Sequence, residues 1–303
     1  MKRMLRIAAG IALVVTISAC DLLFSGKNLF AGLDGPNTDE LKQATGSSLI
    51  DLLNESKGGD NGELGQSFFD KIVADGVADD IVANLELIYS SGVTDAQGAE
   101  AALLAADVIL GTTESGAVVN GIVCAVMNAA SMEPELILSS VLEGNPAASD
   151  PLSFMAFMDD MVSVANAYDA LGTAYQTDGE LVPIDLADGQ TAVVSIIFST
   201  VLDVVDTTNF LTDYPEYAYI DDPQQQASII LFTEVIDVTN TGGTVDLAAV
   251  FGSADAASVA FDDLLNIDSD GNPDNGVEVV PSDSPFSALL YYSGASTLAE
   301  MMQ

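Results

Sequence analysis

Histidine and tryptophan are absent from these 303 residues, cysteine occurs twice, and 7 basic side chains stand against 46 acidic ones. Each gap removes a class of chemistry. Without histidine there is no ordinary proton shuttle near neutral pH, no serine–histidine nucleophile and no histidine-bearing zinc site. No arginine follows Arg6, so a guanidinium fork for carboxylate or phosphate is missing from the body of the chain. From Ile72 to Gln303 there is no positive side chain at all, which repels nucleic acid and anionic headgroups. Glycine-rich phosphate loops are missing too. Paired carboxylates such as Glu133 and Glu135 belong to the type that cleaves glycosidic bonds, but nothing marks them out among 46 acids. The chain reads as a non-enzyme that requires no cofactor.

What is present begins at the N-terminus. Lys2, Arg3 and Arg6 lead into an apolar stretch of eleven residues, Ile7 to Ile17, and Ile17-Ser18-Ala19-Cys20 closes it. Eleven is far short of the roughly 20 residues needed to cross a bilayer, so the pattern reads as a secretory signal and not as an anchor helix. Its ending resembles the lipobox of bacterial lipoproteins. The resemblance implies removal of residues 1–19 and acylation of Cys20, hence a lipid-anchored body in the periplasm or at the cell surface. Several acyl chains at about 0.8 kcal/mol per buried methylene make such attachment stable. Asp21 follows the cysteine and leaves the choice between inner and outer membrane open. On that reading Cys124 has no disulfide partner, and within Gly121–Met127 it is expected to be a buried, inert thiol.

Processing would leave Lys27, Lys42, Lys57 and Lys71 against all 46 acids. Two readings of that excess stay open: a saline habitat whose cations screen the surface, and specific divalent-cation binding. The acidity is spread along the chain, which fits the first. A hydrophobic share of 49% is too high for a chain that stays unfolded.

Residues 20–36 read as a lipidated tether, and 37–303 as a helical domain with a division near 176–187. Asn37 with Glu40 and Thr94 with Gln97 fit capping boxes, while Asp150-Pro151, Asp222-Pro223 and Ser284-Pro285 fit a cap followed by proline at the first helical position. Helices are expected near 38–54, 63–74, 77–90, 95–112, 116–130, 134–143, 151–175, 188–205, 223–239, 246–265 and 285–302. In 151–175 the residues Phe154, Phe157, Met161, Val164, Tyr168, Leu171 and Tyr175 recur at spacings of three and four, a seam that demands a partner helix. Ser115–Met132 and Gly189–Leu202 carry no charge and are expected as buried central helices. Strands are expected nowhere except for a small hairpin around 244–246 or 277–280. The fold class is all-α, an array or bundle of about ten helices.

Tyr168, Leu171, Gly172 and Tyr175, with Gly179 beyond, resemble the first helix of a tetratricopeptide repeat, which implies degenerate packing of helical pairs; no 34-residue period recurs. Asp268-Ser269-Asp270-Gly271-Asn272-Pro273-Asp274 resembles the Asp-x-Asp calcium loops of thrombospondin-type and EF-hand-like modules. Pro273 and Val279 depart from the EF-hand pattern at its sixth and twelfth positions, and a solvated turn accounts for the same residues. If Ca2+ binds, its ligands are Asp268, Asp270, Asn272 and Asp274. The functional expectation is a non-catalytic helical scaffold for a partner protein or envelope assembly, tied to the membrane through its lipid. The alternative is a carrier or transport accessory holding a small apolar ligand between helices.

Overall fold

The computed structural model describes residues 37–58, 63–91, 95–113, 115–119, 145–238, 245–252 and 284–294, with isolated positions between them. The described residues are helical almost throughout. The first long helix expected from the sequence is two helices. Asn37 Oδ1 accepts the Asp39 amide at 3.1 Å to start α1 (Thr38–Gln43), and Gly46, at φ +58°, turns the chain before α2 (Ser47–Ser56). That left-handed conformation suits glycine and breaks the ladder that the apolar period alone would continue. Lys57–Gly58 (β1) then pairs antiparallel with Glu63–Leu64 (β2), Lys57 opposite Leu64. This short pairing lies outside both hairpin positions expected from sequence, and Val245 and Asp246 are not in a strand. It also takes up Glu63 and Leu64, so α3 (Gln66–Ala74) starts three residues later than the pattern suggested.

Helix α4 (Ala78–Tyr89) lies against α5 (Ala96–Thr112), and α5 against α6 (Pro151–Asp178). Asp95, not Thr94, caps α5, accepting the Gly98 amide at 2.9 Å. Ala99, Ala101, Ala102, Ala105 and Ala106 are all buried, and their small side chains let neighbouring helices press against α5 from several sides. Residues 115–119 are helical with Val118 and Val119 buried. The rest of the uncharged stretch, Cys124 and the helix expected at 134–143 lie outside the described residues.

Helix α6 is the axis of the molecule. Asp150 Oδ1 accepts the Leu152 and Ser153 amides at 3.0 and 3.1 Å, Pro151 fills the first helical position, and Gly179 at φ +81° ends it. All seven residues of its expected seam are buried, and so are Met158, Ala165, Ala167 and Ala174 on other faces. The additional burial follows from its neighbours: α5, α7 (Leu186–Val204), α9 (Pro223–Leu231) and α11 (Pro285–Tyr292) all pack on it. This is a bundle gathered around one long helix.

The caps of the later helices follow the expected proline rule. Asp222 Oδ1 accepts the Gln224 and Gln225 amides, and Ser284 Oγ accepts the Ser287 amide at 3.0 Å. At α7 the capping box is Asp185 with Asp188. Helix α9 runs on into a π-helical turn, Phe232–Asp237. A short α8 (Phe210–Asp213) precedes α9, and α10 (Leu247–Phe251) follows it.

Two apolar cores share α6. Val164, Tyr168, Leu171 and Tyr175 join Leu41, Leu53, Ile72, Ile81, Leu85 and Leu104 in the first. Phe154, Phe157, Met158 and Met161 join Phe198, Leu202, Phe210, Ile229, Phe232 and Ile236 in the second. Within 176–187, Val182 and Ile184 are buried in the first core, and the Tyr175 hydroxyl donates to the Val182 carbonyl. Helix α7 is long and apolar enough to cross a membrane by length and composition. Its residues Ala192, Val194, Phe198 and Leu202 are buried among the other helices.

Candidate interaction surface

The chain between α7 and α9 is a loop held from both ends and from its middle. Phe210 and Ile220 are buried in the second core and act as plugs. Between them Tyr214 stacks on Phe210, with ring centroids 5.4 Å apart, and its hydroxyl donates to Glu234 Oε1 at 2.7 Å. Glu234 sits in the π-helical turn, whose Phe232 and Ile236 face the core while Glu234 is left at its edge. Turns of this kind are often found where function needs a displaced side chain.

Pro215 opens a single 3-10 turn to Tyr217. The Tyr217 amide donates to Tyr214 O at 3.0 Å, and the Ile220 amide to Tyr217 O at 2.9 Å. Gln226 Nε2 reaches back to Ile220 O at 2.8 Å, and Asp206 Oδ1 accepts the Thr208 amide at 2.9 Å. These bonds tie the loop to itself and to its root.

That shape presents apolar groups to water. Leu211 is 60% exposed and Tyr219 66%. Tyr217 lies beside them, its hydroxyl pKa raised by desolvation first and then by the charges of Glu216, Tyr219 and Asp150. Asp150, which caps α6, is the least of the charges acting on that hydroxyl, and Leu152 in the first turn of α6 is exposed. Asp213, Glu216, Asp221 and Asp222 are exposed along the loop. Tyrosines bury large area at low entropic cost when a partner arrives, and this residue type is enriched in protein-contacting surfaces.

A second cluster serves the fold. Asp159 and Asp160, neighbours on α6, point to different elements: Gln225 Nε2 donates to Asp159 Oδ2 at 2.9 Å, and Ser115 Oγ to Asp160 Oδ2 at 2.7 Å. Burial raises both carboxyls above the ordinary aspartate range, and these hydrogen bonds only partly oppose it. Asp222 and Asp160 push Asp159 further up, and Asp79 does so for Asp160. The described lysines are Lys42, Lys57 and Lys71, all in α1, β1 and α3; Lys42 pairs with Asp80 at 3.3 Å and Lys57 with Glu100 at 2.9 Å. Among the described residues no group of three or more carboxylates is placed to hold a metal ion.

Cys20, the four calcium-ligand candidates Asp268, Asp270, Asn272 and Asp274, and the pair Glu133 and Glu135 all lie outside the described residues. The tyrosine loop carries no motif that the sequence reading singled out. Its signal is nonetheless in the sequence: Phe210-Leu-Thr-Asp-Tyr-Pro-Glu-Tyr-Ala-Tyr219 sets three tyrosines among carboxylates around a proline. The chain matches no family model, no curated protein and no solved structure.

Proposed function

We propose that this chain is an exported, lipid-anchored helical scaffold without catalytic chemistry, held to a bacterial membrane through Cys20, and that its body docks a partner protein on the loop 205–222. The anchor rests on the lipobox-like ending of an eleven-residue apolar run. The docking role rests on one observation above all: a loop fixed at Phe210, Tyr214 and Ile220 that holds Leu211 and Tyr219 out in water.

Photo-cross-linking in the native cell tests it. A cross-linking side chain at position 219 is expected to trap one envelope protein, and the same group at Leu87, 71% exposed on α4, is expected not to trap it. Equal trapping from both positions, or none from 219, defeats the docking role. The mass of the mature protein tests the anchor separately: a retained Met1 defeats it.

A further inference from the structure

Resting on that reading, we infer that the partner segment seated on the 205–222 loop is cationic, with lysine or arginine side chains alternating with apolar ones. The loop's apolar groups cannot be covered without also covering its acids. Asp213 and Glu216 flank Tyr214 and Tyr217 in the chain, Asp221 follows Ile220, and Asp150 lies within electrostatic reach of Tyr217. Asp150 and Asp222 each cap a helix, but accepting amide hydrogen bonds leaves their negative charge in place. A carboxylate that loses water without gaining a partner destabilises the complex strongly.

The described cations all belong to other elements. No lysine or arginine occurs after Lys71, and the three described lysines belong to the elements of the first core. The comparison with the other exposed apolar side chains is informative. Val73 is two residues from Lys71 on α3, and Leu87 shares α4 with Asp80, which Lys42 already pairs. The tyrosine loop sets the exposed ring of Tyr219 among carboxylates that lie on elements other than those carrying the described lysines. A guanidinium or ammonium group meets both needs at once, since it neutralises the acids and rests on the exposed ring of Tyr219, with half-buried Tyr217 close by in the chain. The apolar residues between the cations then cover Leu211. A neutral or acidic segment satisfies only the apolar part of this surface.

The test uses the purified mature protein and a fluorescein-labelled 12-residue peptide of alternating arginine and leucine, titrated at 0.15 M salt by anisotropy. The same peptide with glutamine for arginine is the control. The arginine peptide is expected to bind and the glutamine peptide to bind at least tenfold more weakly. The double variant Tyr217→Ala/Tyr219→Ala is expected to lose about tenfold in affinity for the arginine peptide, as two cation–π contacts imply. Tyr219 is largely in water, so Tyr219→Ala alone keeps the fold and is expected to lose about threefold. Asp51→Asn/Glu55→Gln on α2 removes two charges at the other core and is expected to change affinity less than twofold. Equal binding of the two peptides overturns the inference, as does an equal loss from the α2 pair and the tyrosine pair. If position 219 traps a partner in cells while the two peptides bind alike, the docking role stands and its cationic chemistry falls.

Discussion

Gly172 lies in the middle of α6, where an alanine should ordinarily stabilise a helix by about 1 kcal/mol. Here the opposite is expected. A methyl group built on Gly172 comes closest to the carbonyl oxygen of Pro285 and sits 2.8 Å from the carbonyl carbon and 3.0 Å from the proline Cβ. The obstacle is backbone at the first turn of α11, and backbone cannot rotate aside as a side-chain tip does. Overpacking of this kind costs about 1–3 kcal/mol, and the rigid contact puts Gly172→Ala near the top of that range. Subtracting the propensity gain leaves a net loss of about 2 kcal/mol, or roughly 4–8 °C in Tm for a chain of this size. Thermal and urea denaturation followed by circular dichroism measure it directly. A second readout locates the damage: amide exchange should quicken in 285–292 while α4 and α5 keep their protection. A Gly172→Ala protein as stable as its parent would show that α11 does not approach α6 this closely, and the packing of the first core would have to be redrawn.

Two further outcomes follow from the polar contacts. Asp160 has its folded-state pKa raised, so its burial costs nothing below the unfolded value and the cost appears as pH rises through the folded value. Asp160→Asn, whose amide oxygen still accepts from Ser115, is therefore expected to melt higher than the parent at pH 7, with the gap closing near pH 4; a lower melting temperature at pH 7 would contradict the assignment. Tyr214→Phe removes the donor to Glu234 and is expected to cost about 1 kcal/mol in urea denaturation, with faster amide exchange confined to 210–222. Unchanged exchange there would mean that the loop owes its shape to Phe210 and Ile220 alone.

The helices and their proline-marked starts were legible because caps are local chemistry: Asp150, Asp222 and Ser284 bond to amides two or three residues away. The seam of α6 was legible for the same reason, since periodicity records which face is covered. What covers it was not. That α5, α7, α9 and α11 all meet one helix depends on contacts between residues distant in the chain, and at α11 more than a hundred positions apart, as for Gly172 with Pro285. The tetratricopeptide-like spacing around Tyr168 includes Gly172, whose lack of a side chain lets the start of α11 come close. The break at Gly46 was missed because an apolar period runs through it, and the strand pair at 57–64 because two residues a side leave no alternation to read. The tyrosine loop escaped notice because its meaning lies in exposure, which no pattern of residue types records.

The single axis α6 has a geometric consequence for the whole body. Met161 faces one core and Val164 the other, with no joint between them. One residue inserted after Val162 would turn every downstream side chain on the helix by about 100° and advance it by about 1.5 Å. The two halves of the molecule are thus geared together like wheels keyed to a common shaft. Evolution can lengthen the surface loops freely, but the count of residues between Phe154 and Tyr175 is locked.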